Sequence, residues 1–210
     1  MKGVLLIILG AGIQLACAQA PGFLALKNPA QFEAAFGEAS RQLLSVQSDF
    51  SQVKSLSMLK DKVSSSGRFY YQQKNKVRIE YIKPFQYLMI LNDGQMLMKD
   101  EQKQSTFNTH SNKILQSVNN ILIDCLSGNV YRNREFKTSV FESNKEYQLW
   151  MLPQSSFMKK MFNRIEVFVS KSNYSIQKLV MTEINGDQTQ MVFSNQVLNK
   201  TLDSQLFKTR

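Results

Sequence analysis

The sequence predicts an α+β protein built mostly of antiparallel β-strands, arranged as a curved, incompletely closed sheet with helices covering its concave face. Short segments of alternating apolar and polar residues follow one another through most of the chain. Turn sequences such as Asn92-Asp93-Gly94 and Asn185-Gly186-Asp187 join neighbouring segments as tight hairpins. Two amphipathic helices are too few to cover nine or ten strands, so part of the sheet must remain open.

The first eighteen residues have the order of a secretory signal peptide. Lys2 precedes an apolar run that extends to Ile13, and small residues occupy Ala16 and Ala18. The run is too short to span a bilayer comfortably. We therefore expect cleavage near Ala18 and a single mature domain over residues 19–210.

Lipidation of Cys17 is the alternative to this cleavage, and it ranks second. Gln14 stands where lipidation sites usually have an aliphatic residue. Removal of residues 1–18 leaves Cys125 as the single thiol, so no intramolecular disulfide can form and stability must come from a hydrophobic core. About 190 residues suffice for one such core.

The chain is basic, with 26 Lys and Arg against 16 Asp and Glu. Loss of Lys2 leaves 25 against 16, a net charge of +9 (25 − 16). Nucleic acid is not expected as a partner of an exported protein. The charge fits anionic lipid headgroups or an acidic docking partner. It equally fits a role for lysines in keeping sheet edges soluble and unpaired.

Two segments have the helical period. Asn28-Pro29 provides an N-cap and a first-turn proline for a helix that carries Phe32 and Phe36 on one face and ends near Leu44. The second helix begins at Ser111 or Asn112 and ends before Gly128. Its apolar face comprises Ile114, Leu115, Val118, Ile121, Leu122, Cys125 and Leu126.

The remaining periodic segments alternate as strands do. In the clearest one, Val77, Ile79 and Tyr81 alternate with Arg78 and Glu80, which predicts one apolar and one charged face. Further strands are expected from Val46 to Leu56, Gly67 to Gln72, Tyr87 to Leu91, Gln95 to Asp100, Phe136 to Glu142, Glu146 to Met151, Arg164 to Ser170, Ile176 to Ile184 and Thr189 to Phe193.

The sequence carries no common catalytic or metal-binding pattern, so we expect no enzyme, no metal and no cofactor. His110 is the single histidine, and Cys125 lies on an apolar helix face. Glu80, Glu166 and Glu183 lie on strands beside Lys or Arg, which indicates solvated ion pairs rather than an acid and base pair.

Ordered motifs along the chain resemble the LolA family of outer-membrane lipoprotein carrier proteins, particularly its Bacteroidetes-like branch. The resemblance covers about Phe32 to Phe207. Its motifs are Asp49-Phe50-Ser51-Gln52, Gly67-x-Phe69, Lys74-Asn75-Lys76, Arg78-x-Glu80-Tyr81, Pro84, Asn92-Asp93-Gly94 and Glu183-x-x-Gly186-Asp187-x-Thr189 with Phe193. Gln73-Lys74 departs from the basic-Pro pair of many members, so the family's cavity-gating arginine is not carried over.

The resemblance implies an incompletely closed β-barrel, a half-barrel, whose helices form a lid over an apolar cavity. It implies a non-enzymatic, monomeric carrier in the periplasm. Its cargo would be the acyl chains of lipoproteins, received from an inner-membrane ABC lipoprotein-release complex and passed to the outer membrane, with an outer-membrane receptor as a further partner.

Alternate-face positions of the central strands are the expected cavity lining: Phe69, Tyr71, Val77, Ile79, Tyr81, Leu88, Ile90, Met96 and Met98. The expected lid is the second helix, through Ile114, Leu115, Val118, Ile121 and Leu122. A permanently docked core helix and a plain sheet core are the alternatives.

Three other functions stay open. One is a LolA-like carrier for another lipid, a pigment or a polyene precursor. Another is a small enzyme on the same fold that acts on such a precursor. The third is a sensor of misplaced lipoproteins, although such sensors usually have an additional domain. The basic groups Lys159-Lys160 with Arg164, and Arg132 with Arg134 and Lys137, are candidate docking surfaces.

Overall fold

The computed structural model describes residues 22–59, 61–109, 121 and 123–209. Several predictions concern residues outside these ranges. They are the signal peptide, Cys17, His110, and four of the five lid residues, Ile114, Leu115, Val118 and Leu122.

Twelve antiparallel strands form one sheet, in the order β1-β8-β9-β10-β11-β12-β2-β3-β4-β5-β6-β7. The strands are β1 (Leu24–Ala25), β2 (Ser45–Ser55), β3 (Lys62–Gln72), β4 (Lys76–Lys83), β5 (Tyr87–Asn92), β6 (Gln95–Lys99), β7 (Gln104–Asn108), β8 (Phe136–Glu142), β9 (Glu146–Pro153), β10 (Phe162–Ser170), β11 (Ile176–Glu183) and β12 (Gln188–Leu198). The sheet is not closed, since β1 and β7 end the order without pairing to each other. The predicted open, mostly antiparallel fold is confirmed.

The described helices are few. Helix α1 spans Pro29–Gln42, and the Asn28 side chain accepts a hydrogen bond from the Gln31 amide at 3.3 Å, as the predicted N-cap requires. Residues 121 and 123–127 are helical and are called α2, and α3 spans Ser156–Lys159. A 3-10 helix, Ser204–Phe207, lies near the C-terminus. None of the helices in the described ranges has the length and apolarity needed to cross a membrane.

The predicted hairpin turns are present. Asp93 and Gly94 have φ values of 48° and 72°, the left-handed pair that a two-residue hairpin requires. Gly186 has a φ of 88° between β11 and β12. The sequence did not predict β1 or β7, because the first has two residues and the second, Gln104–Asn108, is mostly polar and exposed.

Strand β3 begins at Lys62, five residues before the expected start at Gly67. Residues 64–66 are all serine, and a polar run of this kind carries no alternation from which a strand could be predicted. Gly67 lies where β3 and β4 approach closely, since a Cβ atom there would be 1.9 Å from the Glu80 carbonyl oxygen. The glycine permits a bulge in the pairing of these strands.

The sheet has two buried faces. Helices α1 and α2 pack on the inner face, where most of the apolar core lies. On the outer face, Tyr70, Ile90 and Leu97 pack against Leu202 and Phe207 of the C-terminal segment. The Asn92 side chain fixes this segment by donating a hydrogen bond to the Phe207 carbonyl at 3.0 Å.

Candidate ligand groove

The inner face of strands β2 to β6 presents apolar side chains in rows across the sheet. Strand register aligns Phe69 with Ile79, Ile79 with Met89, and Met89 with Met98. A parallel row comprises Val46, Tyr71, Val77, Leu91 and Met96. The rows follow from the two-residue period of a strand, which places every second side chain on the same face.

Most of the predicted lining residues belong to this surface. Phe69, Tyr71, Val77, Ile79 and Met96 are buried in the inner core, with Val77 completely inaccessible to solvent. Tyr81 and Met98 are partly exposed and pack against that core. The Tyr81 hydroxyl donates a hydrogen bond to Gln52 at 2.9 Å, which satisfies its polar end.

Leu88 and Ile90, also expected in the lining, lie instead on the outer face. Ile90 is paired with Arg78 and Leu88 with Glu80, the charged side of β4, whereas Met89 and Leu91 face inward. The C-terminal segment covers this outer face, so both sides of β5 are apolar. A strand without alternation gives no information about which residues face the core.

A groove between the helices and the inner face is the candidate ligand site. It contains about 800 Å³ of empty space, part of it open to solvent, but only about 70 Å³ is wide enough for the centre of a water molecule. The groove is therefore narrow when α1 and α2 pack against the inner face of the sheet. Its lining residues are Phe36, Ala39, Ser40, Leu43, Val46, Ser48, Phe69, Ile121, Cys125, Leu126, Val167, Asn173, Tyr174, Ser175, Ile176, Leu179, Phe193, Gln196 and Leu198.

Only Phe69 of the nine predicted lining residues borders the groove, together with Ile121 of the predicted lid. The other strand residues of the lining come from β2, β10, β11 and β12, and Leu179 and Phe193 are examples. The reason is that β12 pairs with β2, which brings the C-terminal strands to the middle of the sheet. Local sequence does not reveal this long-range pairing, although both residues lie in apolar segments, residues 179–181 and 191–193.

Aromatic packing attaches α1 to the sheet. The Phe32 ring lies 5.4 Å from that of Phe36 and 4.4 Å from that of Tyr147 on β9. The rings of Tyr131 and Tyr174 lie 6.4 Å and 6.2 Å from Phe32. Each such contact contributes about 1 kcal/mol beyond the burial of the ring. Packing at Phe32 therefore stabilises α1 more than its intrinsic helix propensity does.

Helices α1 and α2 touch where α2 ends. Gly128 has a φ of 70°, and a Cβ atom there would lie 2.8 Å from the Ser40 hydroxyl and 3.1 Å from the Gly37 α-carbon. Glycine is needed for both the left-handed backbone and the close approach. The two helices therefore form one cover over the groove.

The groove is apolar and uncharged. None of its described lining residues is Asp, Glu, Lys, Arg or His. Burial raises the pKa of Cys125 to about 12, so its thiol is neutral, and burial also raises the pKa of Tyr71 nearby in the core. The Ser48 hydroxyl is buried in the lining and has no hydrogen-bond partner within the described part of the chain. The described lining suits an apolar ligand and includes no carboxylate, imidazole, amine or ionised thiol.

The family model for the outer membrane lipoprotein carrier protein LolA matches residues 41–210. The chain belongs to the LolA family. An uncharacterized conserved protein from Thermus thermophilus superposes with a TM-score of 0.50 at 10% identity, covering 86% of this chain and 93% of that one. MucB gives 0.50 at 11% identity, covering 87% of this chain and 63% of its own. Both show a shared fold.

A LolA superfamily protein from Nitrosomonas europaea gives a TM-score of 0.45 at 8% identity, covering 84% of this chain and 97% of that one. No curated protein matches the sequence. Membership of the LolA family agrees with the family predicted from the ordered motifs.

Three carboxylates elsewhere in this LolA-family chain form ion pairs. Among the described residues, no group of three or more His, Cys, Asp or Glu could hold a metal ion. Glu80 and Glu183 pair with Arg78 and Lys54, each at 3.3 Å. Glu166 departs from the expected solvated pair, because it is buried on the outer face.

The buried Glu166 carboxylate is fully engaged by its neighbours. It accepts hydrogen bonds from Gln148 at 2.6 Å and from Arg164 at 3.0 Å. The Arg164 guanidinium also lies 4.3 Å from the centre of the Trp150 ring. This cluster lies on the outer surface of β9 and β10, away from the groove.

Proposed function

We propose that this protein is a non-enzymatic periplasmic carrier that binds the acyl chains of lipoproteins and shuttles them from the inner to the outer membrane. The observation that supports this most directly is the uncharged apolar groove between the helical cover and an unclosed sheet, in a chain of the LolA family. When cargo binds, the acyl chains would leave water and lie between the sheet and the helices of the cover.

The proposed route requires export of the chain after cleavage near Ala18. Cargo would come from an inner-membrane ABC lipoprotein-release complex and would pass to an outer-membrane receptor or to the membrane itself. The carrier would work as a monomer without a cofactor, and nucleic acid would not be a partner. The full sequence has a net charge of +10, and the excess of basic residues that remains after cleavage is compatible with contacts to acidic membranes and partners.

Acyl chains need such a carrier because water excludes them strongly. A chain of about 15 methylenes costs about 12 kcal/mol in water, at about 0.8 kcal/mol for each methylene. Tight binding in a preformed cavity would prevent release. A groove that its own helices fill when empty solves this problem, since cargo then replaces protein contacts and the net affinity stays moderate.

The narrowness of the groove supports a cover that moves. About 70 Å³ of wide space is far below the 300–1,000 Å³ usual for ligand pockets, so α1 or α2 must shift to admit a long chain. We propose that the helix from about Ser111 to Leu126 is the movable part. Helix α1 is held at Phe32 by ring contacts with Tyr147 and Tyr174, while Phe36, one turn further along, fills part of the empty groove.

Photo-crosslinking tests where the cargo binds. A fatty acid with a diazirine in its chain should, on illumination, label groove residues such as Phe69, Leu179 and Phe193. Outer-face residues such as Ile90 and Leu97 are buried in an equally apolar cluster and form the internal control. Labelling confined to the outer face, or no saturable labelling, would rule out the groove as the acyl site.

Hydrogen–deuterium exchange tests whether the cover moves. The backbone amides of α2 at residues 123–127 should exchange faster when a saturating fatty acid is bound, because the helix then leaves its packed position over the groove. The amides of β5 form the internal control and should exchange equally in both states. Unchanged exchange of the α2 amides on fatty-acid binding would exclude displacement of that helix.

A further inference from the structure

The hairpins at one end of the sheet expose a cluster of large apolar side chains. We call this end the hairpin rim, comprising residues 56–59, 61–63, 82–86 and 184–187. Six of the ten exposed large apolar side chains among the described residues lie on it: Met58, Leu59, Val63, Ile82, Phe85 and Ile184. Met58 is 94% exposed and Leu59 61%.

Strand register places these turns side by side. Ser55, at the end of β2, is paired with Lys62 of β3 and with Gln188 of β12. Ser66 of β3 is paired with Lys83, which precedes the turn that holds Phe85. The β2–β3, β4–β5 and β11–β12 turns therefore project from the same end of the sheet.

Hydrogen bonds fix the turns to one another. The Ser57 amide donates to the Asp187 carboxylate at 2.8 Å, and the Ser57 hydroxyl donates to the Asn185 carbonyl at 2.8 Å. The Ile184 amide donates to the Met161 carbonyl at 3.2 Å, which joins the rim to the segment after α3. Met58 and Ile184 thus lie on turns that hydrogen bonds join to neighbouring segments.

Lysines accompany the apolar tips. Lys62 follows the β2–β3 turn and Lys83 precedes the β4–β5 turn, and both are exposed. The rim carboxylate Asp187 accepts a hydrogen bond from Ser57, and Glu183, next to the rim, pairs with Lys54 at 3.3 Å. Asp61, which directly precedes Lys62, carries an exposed carboxylate. Apolar residues next to lysines are the composition of protein surfaces that enter a lipid interface.

The shape of the rim also favours lipid over a protein partner. Its apolar side chains stand on separate projecting turns rather than on a flat face or in a groove. A protein partner would need a matching recess for each turn, whereas the fluid headgroup region accommodates separate projections. Exposed apolar clusters of this kind are unusual on a protein that remains free in water.

We propose that the hairpin rim docks on the surface of an anionic lipid bilayer. Met58, Leu59 and Phe85 would enter the interface, while Lys62 and Lys83 contact lipid phosphates. This inference goes beyond the carrier function, because it assigns the end of the molecule that meets a membrane. The hairpin rim and the groove are also separate sites, since the described lining of the groove includes none of the rim residues.

Vesicle co-sedimentation tests the proposal. The mature chain is mixed with vesicles of phosphatidylethanolamine with phosphatidylglycerol, or of phosphatidylcholine alone. We expect binding to the anionic vesicles that weakens with added salt. The pair Met58→Glu and Leu59→Glu should reduce the partition coefficient at least ~10-fold, because two apolar side chains no longer leave water.

The matched control changes two exposed apolar residues at the opposite end of the sheet. Leu44 and Val197 are 55% and 45% exposed, and Leu44→Glu with Val197→Glu introduces the same charge. The partition coefficient of this control should lie within ~3-fold of that of the unsubstituted protein, a difference of less than about 1 kcal/mol. Equal losses in the two pairs would show a charge effect alone and would overturn the proposal.

Site-specific fluorescence gives a second measurement. Met58→Cys can be labelled selectively with an environment-sensitive dye, because Cys125 is buried. The dye emission should shift to shorter wavelength on anionic vesicles. Absence of vesicle binding by the parent protein, or an unchanged spectrum on vesicles that do bind it, would overturn the proposal. Acyl-probe labelling of the rim pair should remain normal, which separates rim docking from groove binding.

Discussion

Two phenylalanines on opposite faces of the sheet allow a direct test of the groove. Phe36 lies in the groove wall and Phe207 in the outer cluster, and each is 1% exposed. Truncation of either to alanine removes a fully buried ring and should lower the free energy of unfolding by about 3–5 kcal/mol. Urea unfolding, followed by far-UV circular dichroism, measures this loss.

Acyl affinity should separate the two variants. Phe36 occupies space in the empty groove, so Phe36→Ala destabilises the empty state more than the loaded state. If about 1.4 kcal/mol of the loss is specific to the empty state, the affinity for a fluorescent fatty acid rises ~10-fold. Phe207→Ala removes equal packing away from the groove and should leave the affinity within ~2-fold of wild type.

Fluorescence titration at low temperature, where both variants stay folded, measures the two affinities. A parallel change in both variants would mean that affinity follows global stability, and the groove would lose its special role. Weaker binding by Phe36→Ala would show that the ring contacts cargo instead of competing with it. Either result refutes the displacement mechanism.

Three further predictions concern stability and reactivity. Alkylation of Cys125 at about pH 8 should be ~1,000-fold slower in the folded protein than in urea, since its pKa is about 12; mass spectrometry follows the reaction. Gly67→Ala should destabilise the folded protein severely, or prevent its soluble expression, because the new Cβ would lie 1.9 Å from the Glu80 carbonyl oxygen. Thermal unfolding measures the loss of stability. Hydrogen bonds from Ser57 lower the pKa of Asp187. The ionised carboxylate therefore stabilises the fold at neutral pH, and this stabilisation is lost as the pH falls through the folded pKa. Asp187→Asn should lower the melting temperature at about pH 7 but not at about pH 2.

Fast alkylation of the folded protein would show that Cys125 is accessible, and wild-type stability of Gly67→Ala would show that β3 and β4 can separate without cost. An equal effect of Asp187→Asn at both pH values would show that its charge is not involved.

Sequence alone predicted those parts of the fold where one face is apolar and the other polar. The alternation of Val77, Ile79 and Tyr81 with Arg78 and Glu80 identified both the strand and its buried face. Asn28-Pro29 likewise marked the start of α1 through local capping chemistry. Local physical constraints act within a few residues, so they can be read directly from the sequence.

The candidate site was predictable only in part. Leu88 and Ile90 were assigned to the wrong face because the C-terminal segment buries the outer side of β5. Leu179 and Phe193 were missed because their place in the groove depends on pairing between β12 and β2, which are far apart in sequence. Only contacts between distant segments determine these positions.

Native mass spectrometry of the protein purified from its own cell envelope shows whether acylated cargo travels with it. We expect a lipidated polypeptide, or another acylated molecule, to accompany the mature chain and to leave when detergent is added. Recovery of the bare chain alone, for both the wild type and the Phe36→Ala variant, would contradict the claim that the groove carries acyl chains.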